Sequence, residues 1–160
     1  IECAALSPDC VRLAYASRYG TIQIWDVESR TPIRDLTGHD VSHAYVCVVE
    51  YSPDGTLICA GDMSGFIYVW DAKTSEAKGG PFSRFGTCGP VRQMSFVNRW
   101  TVISLYGDEI VCVWDIESGM MLIEWQGSNG PITALAFSAD RIHLVTASQD
   151  STIRIWDVQS

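Results

Sequence analysis

The sequence is poor in positive charge. Eleven Lys and Arg stand against nineteen Asp and Glu, for a formal net charge of −8. None of the eleven forms a run, so the basic patch that a nucleic-acid surface needs is missing. No stretch approaches the roughly 18 consecutive apolar residues of a membrane-spanning helix. The opening IECAALSPDC holds neither a basic segment nor a long apolar core, and so does not read as a signal peptide. It also lacks an initiator Met, which leads us to expect that residue 1 lies inside a longer chain. The six cysteines, at 3, 10, 47, 59, 88 and 112, include no Cys-x-x-Cys and no His at zinc-ribbon spacing. Several fall in apolar runs, where Cys behaves as a small hydrophobe, so reduced thiols and an intracellular setting, cytoplasmic or nuclear, are expected. No segment sustains apolar residues at i, i+3 and i+4 over ten or more positions, which argues against helix. An apolar content of 47% with 19% charge nevertheless suits a packed core and excludes disorder.

What is present is repetition. TIQIWDVES, FIYVWDAKT, IVCVWDIES and TIRIWDVQS are four versions of one phrase, an alternating apolar run ending in Trp-Asp. Their tryptophans, Trp25, Trp70, Trp114 and Trp156, recur at nearly even intervals in the 40-to-45-residue range typical of a repeat architecture. Aligned on them, each unit has an apolar run closing in a polar turn (CVVEYSPDG), a second run (TLICAGD), a short turn and the Trp-Asp run. A weaker fourth run appears three times, as TPIRDLTG, GGPFSRFG and GMMLIEWQG. Short runs rich in Val, Ile and aromatics, punctuated by turn residues, predict an all-β chain of antiparallel meanders. Both faces of many runs are apolar, as in TALAFS, which suits sheets sandwiched between sheets.

The Trp-Asp endings, the Gly38-His39 pair and the Ser-Pro-Asp-Gly turn at 52–55 resemble WD40 repeats. The resemblance covers essentially the whole chain and implies four-stranded β-propeller blades, with repeats at about 1–37, 38–85, 86–126 and 127–160. It also implies that the four tryptophans, His39 and Asp150 are structural. In the family a His, a Ser or Thr, an Asp and the Trp form a hydrogen-bonded chain within each blade, and no unit here matches it in full. The second keeps His39 and Trp70 but has Ser64 where Asp is usual. The third has Asp108 and Trp114, with Thr87 in the His position. The fourth has Thr146, Ser148, Asp150 and Trp156, with Ser128 replacing His. The first has Ser17 and Trp25, with Tyr19 in the Asp position. Partial networks are therefore expected. Four blades, the last without an outer strand, predict a partial propeller: an open arc, or part of a seven- or eight-bladed ring. We favour continuation in a longer chain over head-to-tail self-association.

Candidate chemistry yields to the repeat register. HDVSH at 39–43 echoes the zinc-protease pattern His-Glu-x-x-His, but that pattern needs a helix to align its imidazoles, and this segment joins two strands. Ser64 lies in a hairpin instead of a strand-to-helix elbow. SEAKGGP lacks the Gly-Lys-[Ser/Thr] of a phosphate loop. No catalysis, metal or cofactor is expected. In related propellers the loops from the fourth strand to the next first strand, and from second to third strand, commonly take a protein or peptide. Arg18, Tyr19, His43, Met63, Arg92, Asp108 and Gln149 fall there, and such side chains suit protein contacts. The expected role is a scaffold with a protein or peptide partner, and neither nucleic acid nor membrane. A looser similarity of WDAKTSEAKGGPF to the propellers of fungal NACHT-type signalling proteins implies an alternative, the sensor region of a larger NTPase receptor. Trp125 is expected beneath the next blade, whereas Trp100, in a shortened turn, is open between a contact role and a tucked one.

Overall fold

A computed structural model describes residues 2–17, 20–37, 45–84, 89–107, 109–126, 130–138, 140 and 142–158. Arg18, Tyr19, His39, His43, Thr87, Asp108 and Ser128 lie outside them. The described residues form fifteen strands in four antiparallel meanders. The first sheet is β1 (Cys3–Leu6), β2 (Arg12–Ala16), β3 (Ile22–Asp26) and β4 (Thr31–Asp35). The second is β5 (Val46–Tyr51), β6 (Leu57–Asp62), β7 (Ile67–Asp71) and β8 (Ala77–Phe82). The third is β9 (Val91–Phe96), β10 (Thr101–Tyr106), β11 (Ile110–Asp115) and β12 (Met120–Gln126). The fourth has three described strands, β13 (Ile132–Phe137), β14 (His143–Ser148) and β15 (Ile153–Asp157).

Local turn chemistry sets these hairpins. In the first turn of three sheets a serine, Ser7, Ser52 or Ser138, donates to the Asp two residues on. The same hydroxyl accepts the amide of Arg12, Leu57 or His143 at 2.9–3.0 Å and so closes the loop. The shortened third turn uses Asn98 instead, whose side-chain oxygen accepts the amides of Trp100 and Thr101. After Trp25, Trp70 and Trp114, the carboxylates of Asp26, Asp71 and Asp115 accept amides two or three residues on. Those turns end on left-handed residues, Arg30, Ser75 and Gly119, at φ of 57°, 63° and 74°.

The core lies between sheets. One buried cluster joins the first sheet to the second, another the second to the third, and another the third to the fourth. Between the first three sheets the strands that approach most closely are the first and second, and farther out the Thr37 amide donates to the Ser75 carbonyl at 2.9 Å, so the sheets fan outward from a common axis. Gly61 in β6 permits that approach, because a Cβ there would sit 2.6 Å from Val91. Trp70, Trp114 and Trp156 each face the preceding sheet, covered by a side chain from that sheet's fourth strand or its end. Leu36 shares a cluster with Trp70, Phe82 stacks on Trp114, and Trp125 stacks on Trp156 with ring centroids 5.0 Å apart. Trp100 is half-buried against the second cluster with the Arg99 guanidinium over its ring, and Arg99 also pairs with Asp54 of the neighbouring sheet at 3.4 Å. Outer strands are tied by Arg34, which donates to the Lys73 carbonyl at 2.8 Å, and by Arg84, which grips Glu124.

Candidate functional site

Three backbone hydrogen bonds define one rim. The amide just after the second strand donates to the carbonyl just before the first strand of the same sheet. The pairs are Met63 to Tyr45 at 2.9 Å, Gly107 to Pro90 at 2.8 Å and Gln149 to Pro131 at 2.9 Å. In these three sheets the loop between second and third strands therefore meets the loop entering the sheet, at the end opposite the first turn.

The side chains there do different work in each sheet. In the second, Asp62 is buried and accepts the amides of Ser64 and Phe66 at 2.9 and 2.8 Å and the Tyr68 hydroxyl at 3.1 Å. Asp62 thus holds the turn in which Ser64 stands at the family's usual Asp position. Met63, with its neighbours so fixed, projects outward at 53% exposure beside Tyr45 at 40%. The Tyr45 hydroxyl donates to Glu2 at 3.0 Å, reaching the first sheet. In the third sheet Arg92, half-exposed, donates to Glu109 at 3.2 Å. Glu109 is left-handed, at φ 65°, and its other oxygen accepts the Ile132 amide at 2.5 Å, bridging to the fourth sheet. In the fourth, Gln149 is exposed, and Asp150 accepts the amide and hydroxyl of Thr152 at 2.9 and 2.6 Å. Met63, Arg92 and Gln149 are thus on one rim; Tyr45, Glu2 and Glu109 join them without a repeat signal that singles them out.

The four indoles find four different acceptors. Trp114 Nε1 donates to Ser104 at 2.8 Å and Trp156 Nε1 to the equivalent Thr146 at 3.0 Å. Ala60 occupies that position in the second sheet, and Trp70 turns to the Thr37 carbonyl of the first sheet at 3.0 Å. In the first sheet Tyr15 occupies it, and Trp25 Nε1 and the Tyr15 hydroxyl converge on Gln23 Oε1 at 3.2 and 2.7 Å. A buried N–H requires such an acceptor, and here it comes from three kinds of place: the second strand, the adjoining sheet and the Trp strand itself.

The opposite rim is acidic but internally bonded. The Ser7 hydroxyl holds the Asp9 carboxyl below its ordinary range, the Ser29 amide does so for Asp26, and the Thr74 amide for Asp71. Partial burial opposes the effect at Asp54, yet hydroxyl bonds from Ser52 and Thr56 prevail and the net shift is downward. Along the axis a cleft of about 400 Å³ is lined by Glu50, Gln93, Ser95, Leu135 and Phe137, among others. Among the described residues no cluster of His, Cys, Asp and Glu is arranged to hold a metal ion, and no helix is long and apolar enough to cross a membrane.

Residues 30–71 and 119–157 match the model of the WD domain, G-beta repeat. The chain belongs to the WD40 repeat family. Its fold is a segment of a WD40 propeller, and its sheets are blades. Telomerase protein component 1 of Rattus norvegicus is 28% identical over 92% of this chain, and the Drosophila melanogaster protein groucho 22% identical over 99%. Protein ROOT INITIATION DEFECTIVE 3 of Arabidopsis thaliana is 28% identical over 84%. The chain spans 6%, 22% and 30% of those relatives' lengths. Among solved structures, the computationally designed Ika4 protein superposes with a TM-score of 0.78 at 25% identity, over 99% of this chain and 91% of that one.

Proposed function

We propose that this WD40 chain is a non-catalytic, intracellular interaction scaffold that binds a protein or peptide on the rim carrying Met63, Tyr45, Arg92 and Gln149. The observation that carries the reading is the Met63–Tyr45 pair. Two large side chains, locked side by side through their backbones, stand in solvent on a rigid edge. Methionine adapts to varied partner surfaces, and tyrosine adds area with a polar tip. Half-exposed Arg92, tethered by Glu109, offers a pre-oriented donor beside them. Arg18, Tyr19, His43 and Asp108 are assigned to the same rim by their places in the repeat.

The test is a titration of an affinity-purified partner against wild type, Met63→Ala, Arg92→Ala and a control on the opposite rim, Glu117→Ala. Loss of an anchoring side chain costs about 1–2 kcal/mol, so about 5–30-fold weaker binding is expected for the rim variants, and none for the control. Unchanged affinity in both rim variants refutes the assignment.

A second reading rests on the looser similarity of WDAKTSEAKGGPF to the propellers of NACHT-type signalling proteins. On it, the blades are the sensor region of a larger NACHT-type NTPase receptor. A phosphate-binding loop elsewhere in the reading frame is its expected mark, and a complete frame without one removes it.

A further inference from the structure

The outer strand of a blade is a sheet edge by construction, and the third blade has a neighbour on either side within the chain. The three described outer strands share one irregularity. Opposite the Trp the ladder skips a residue of the outer strand: Ile33 in β4, Lys78 in β8 and Leu122 in β12. They differ in what discourages further pairing. β4 carries Pro32 and the exposed charges Arg34 and Asp35, and only two residues pair beyond its bulge. β8 carries Lys78 at the bulge, then Gly79, Gly80 and Pro81, and its ladder shifts a second time. Lysine, proline and bulges are the means by which sheet edges are kept from pairing. β12, MMLIEWQ, has no proline, glycine or cation, and four consecutive residues pair from Ile123 to Gln126. Its one charge, Glu124, is held by Arg84 at 2.9 Å. Among the described residues no strand lies on its outer side.

The start of β12 is apolar at the surface. Met120 and Leu122 are 63% and 55% exposed. Beside them opens a cleft of about 520 Å³ lined by Pro81, Phe82, Trp114, Gly119, Met120 and Met121. Phe82 and Trp114 stack there with ring centroids 6.5 Å apart. Gly119 leaves room for the Phe82 ring, which a Cβ at that position would meet at 2.7 Å. The charges at this end are acidic: Asp115 pairs with Met120 in the ladder, and Glu117 is exposed in the turn between them.

We propose that the outer edge of β12 is a second interaction surface, separate from the loop rim, which takes an extended segment of a partner protein as a fifth strand of the third blade. Main-chain bonds along Ile123–Gln126 supply the pairing, and a large apolar side chain of the segment fills the cleft beside Met120. A flanking Lys or Arg of the segment answers Asp115 and Glu117. A second copy of this chain is disfavoured as the occupant, because it brings a further −8 of charge and the same carboxylates to the edge.

The test titrates labelled synthetic peptides against the chain by fluorescence anisotropy. Each peptide, about eight residues long to match one strand, alternates Val and Thr, with Leu, Phe or Thr at one central position and Lys or Glu at the ends. Peptides with Leu or Phe and Lys ends should bind, and those with Thr or Glu in their place at least about tenfold more weakly. Strand pairing uses alternate amides, so N-methylating one alternate set should abolish binding and methylating the other should spare it. Leu122→Lys gives β12 the residue that β8 carries at the same place, and it alters a side chain already in solvent. Circular dichroism should report the wild-type fold for this variant, with binding at least about tenfold weaker, whereas Met63→Ala on the loop rim should bind as wild type. Four results would overturn the proposal: no peptide of the panel binding, equal binding with Glu ends, binding that survives both methylation patterns or Leu122→Lys, or a dimer of the chain that Leu122→Lys dissolves.

Discussion

The bond from Trp114 Nε1 to Ser104 is the most stringent test of how the blades are held. Both residues are buried, at 2% and 0% exposure, and the contact is 2.8 Å. Ser104→Ala removes one atom and leaves an indole N–H in an apolar layer without its partner. An unsatisfied buried donor costs about 1–3 kcal/mol, which in a chain of this length lowers Tm by about 2–12 °C. Trp114→Phe deletes the N–H together with ring volume, and the resulting cavity costs about 1–3 kcal/mol. The informative quantity is the coupling between them. In Trp114→Phe no donor remains, so adding Ser104→Ala should cost close to nothing, and the double variant should be at least about 1 kcal/mol more stable than the sum of the singles implies.

Urea unfolding followed by far-UV circular dichroism suits this cycle, because fluorescence would change with the Trp itself. Comparison with the second blade sharpens it. Ala60 already stands where Ser104 does, and Trp70 is rescued by the Thr37 carbonyl of the adjoining blade. If Ser104→Ala shifts stability by less than about 0.3 kcal/mol, or adds to Trp114→Phe within about 0.5 kcal/mol, the reasoning that each indole needs its particular acceptor is refuted.

Gly61→Ala should destabilise by about 1–3 kcal/mol in the same assay, because its Cβ would lie 2.6–2.7 Å from Val91 and force the first strands apart. The Asp carboxyls of the turn rim titrate below their unfolded value near 3.8; their contribution is present above that pH and is lost as the pH falls through the folded values. Thermal midpoints should therefore fall below about pH 4, and Asp54→Asn should flatten that fall. Cys10 is exposed while Cys59 and Cys112 are buried, with burial pushing the Cys59 thiol up; a thiol reagent should modify Cys10 natively and the buried pair only after unfolding. Met63→Ala and Gln149→Ala should leave stability within about 0.5 kcal/mol, since the bonds that shape their rim run through backbone atoms.

How much of this was legible beforehand follows from how far each interaction reaches. Ser52-Pro53-Asp54-Gly55 and the Trp-Asp turns act within five residues, so alternation and turn chemistry announce the strands directly. The indole acceptors were only partly readable. Thr146 stood out as a repeat residue, but Ser104 becomes meaningful only once register places it by Trp114, and the Thr37 carbonyl belongs to another blade. Asp62 lay two residues from the position the repeat marks, and its burial decides its role. Glu109 carries no local signal at all, because its second partner, Ile132, is 23 residues away across a blade junction.

The same division bears on the rim we propose for recognition. Inside the blades, side-chain identity matters: an aliphatic layer at Ile67 and Val69 must meet the Trp114 face, and an indole must find an oxygen. At the rim, the bonds Met63–Tyr45, Gly107–Pro90 and Gln149–Pro131 hold the loops through atoms that nearly every residue possesses. The acceptor is a carbonyl in each case, so even proline serves. The side chains of Met63 and Gln149 are thereby released from folding duty, whereas Gly107 is held small by Pro90 and the opposite turns are committed, their serines and aspartates consumed by closing the hairpins. A surface whose geometry is fixed by backbone and whose chemistry is free is the one on which binding specificity can change without loss of the fold.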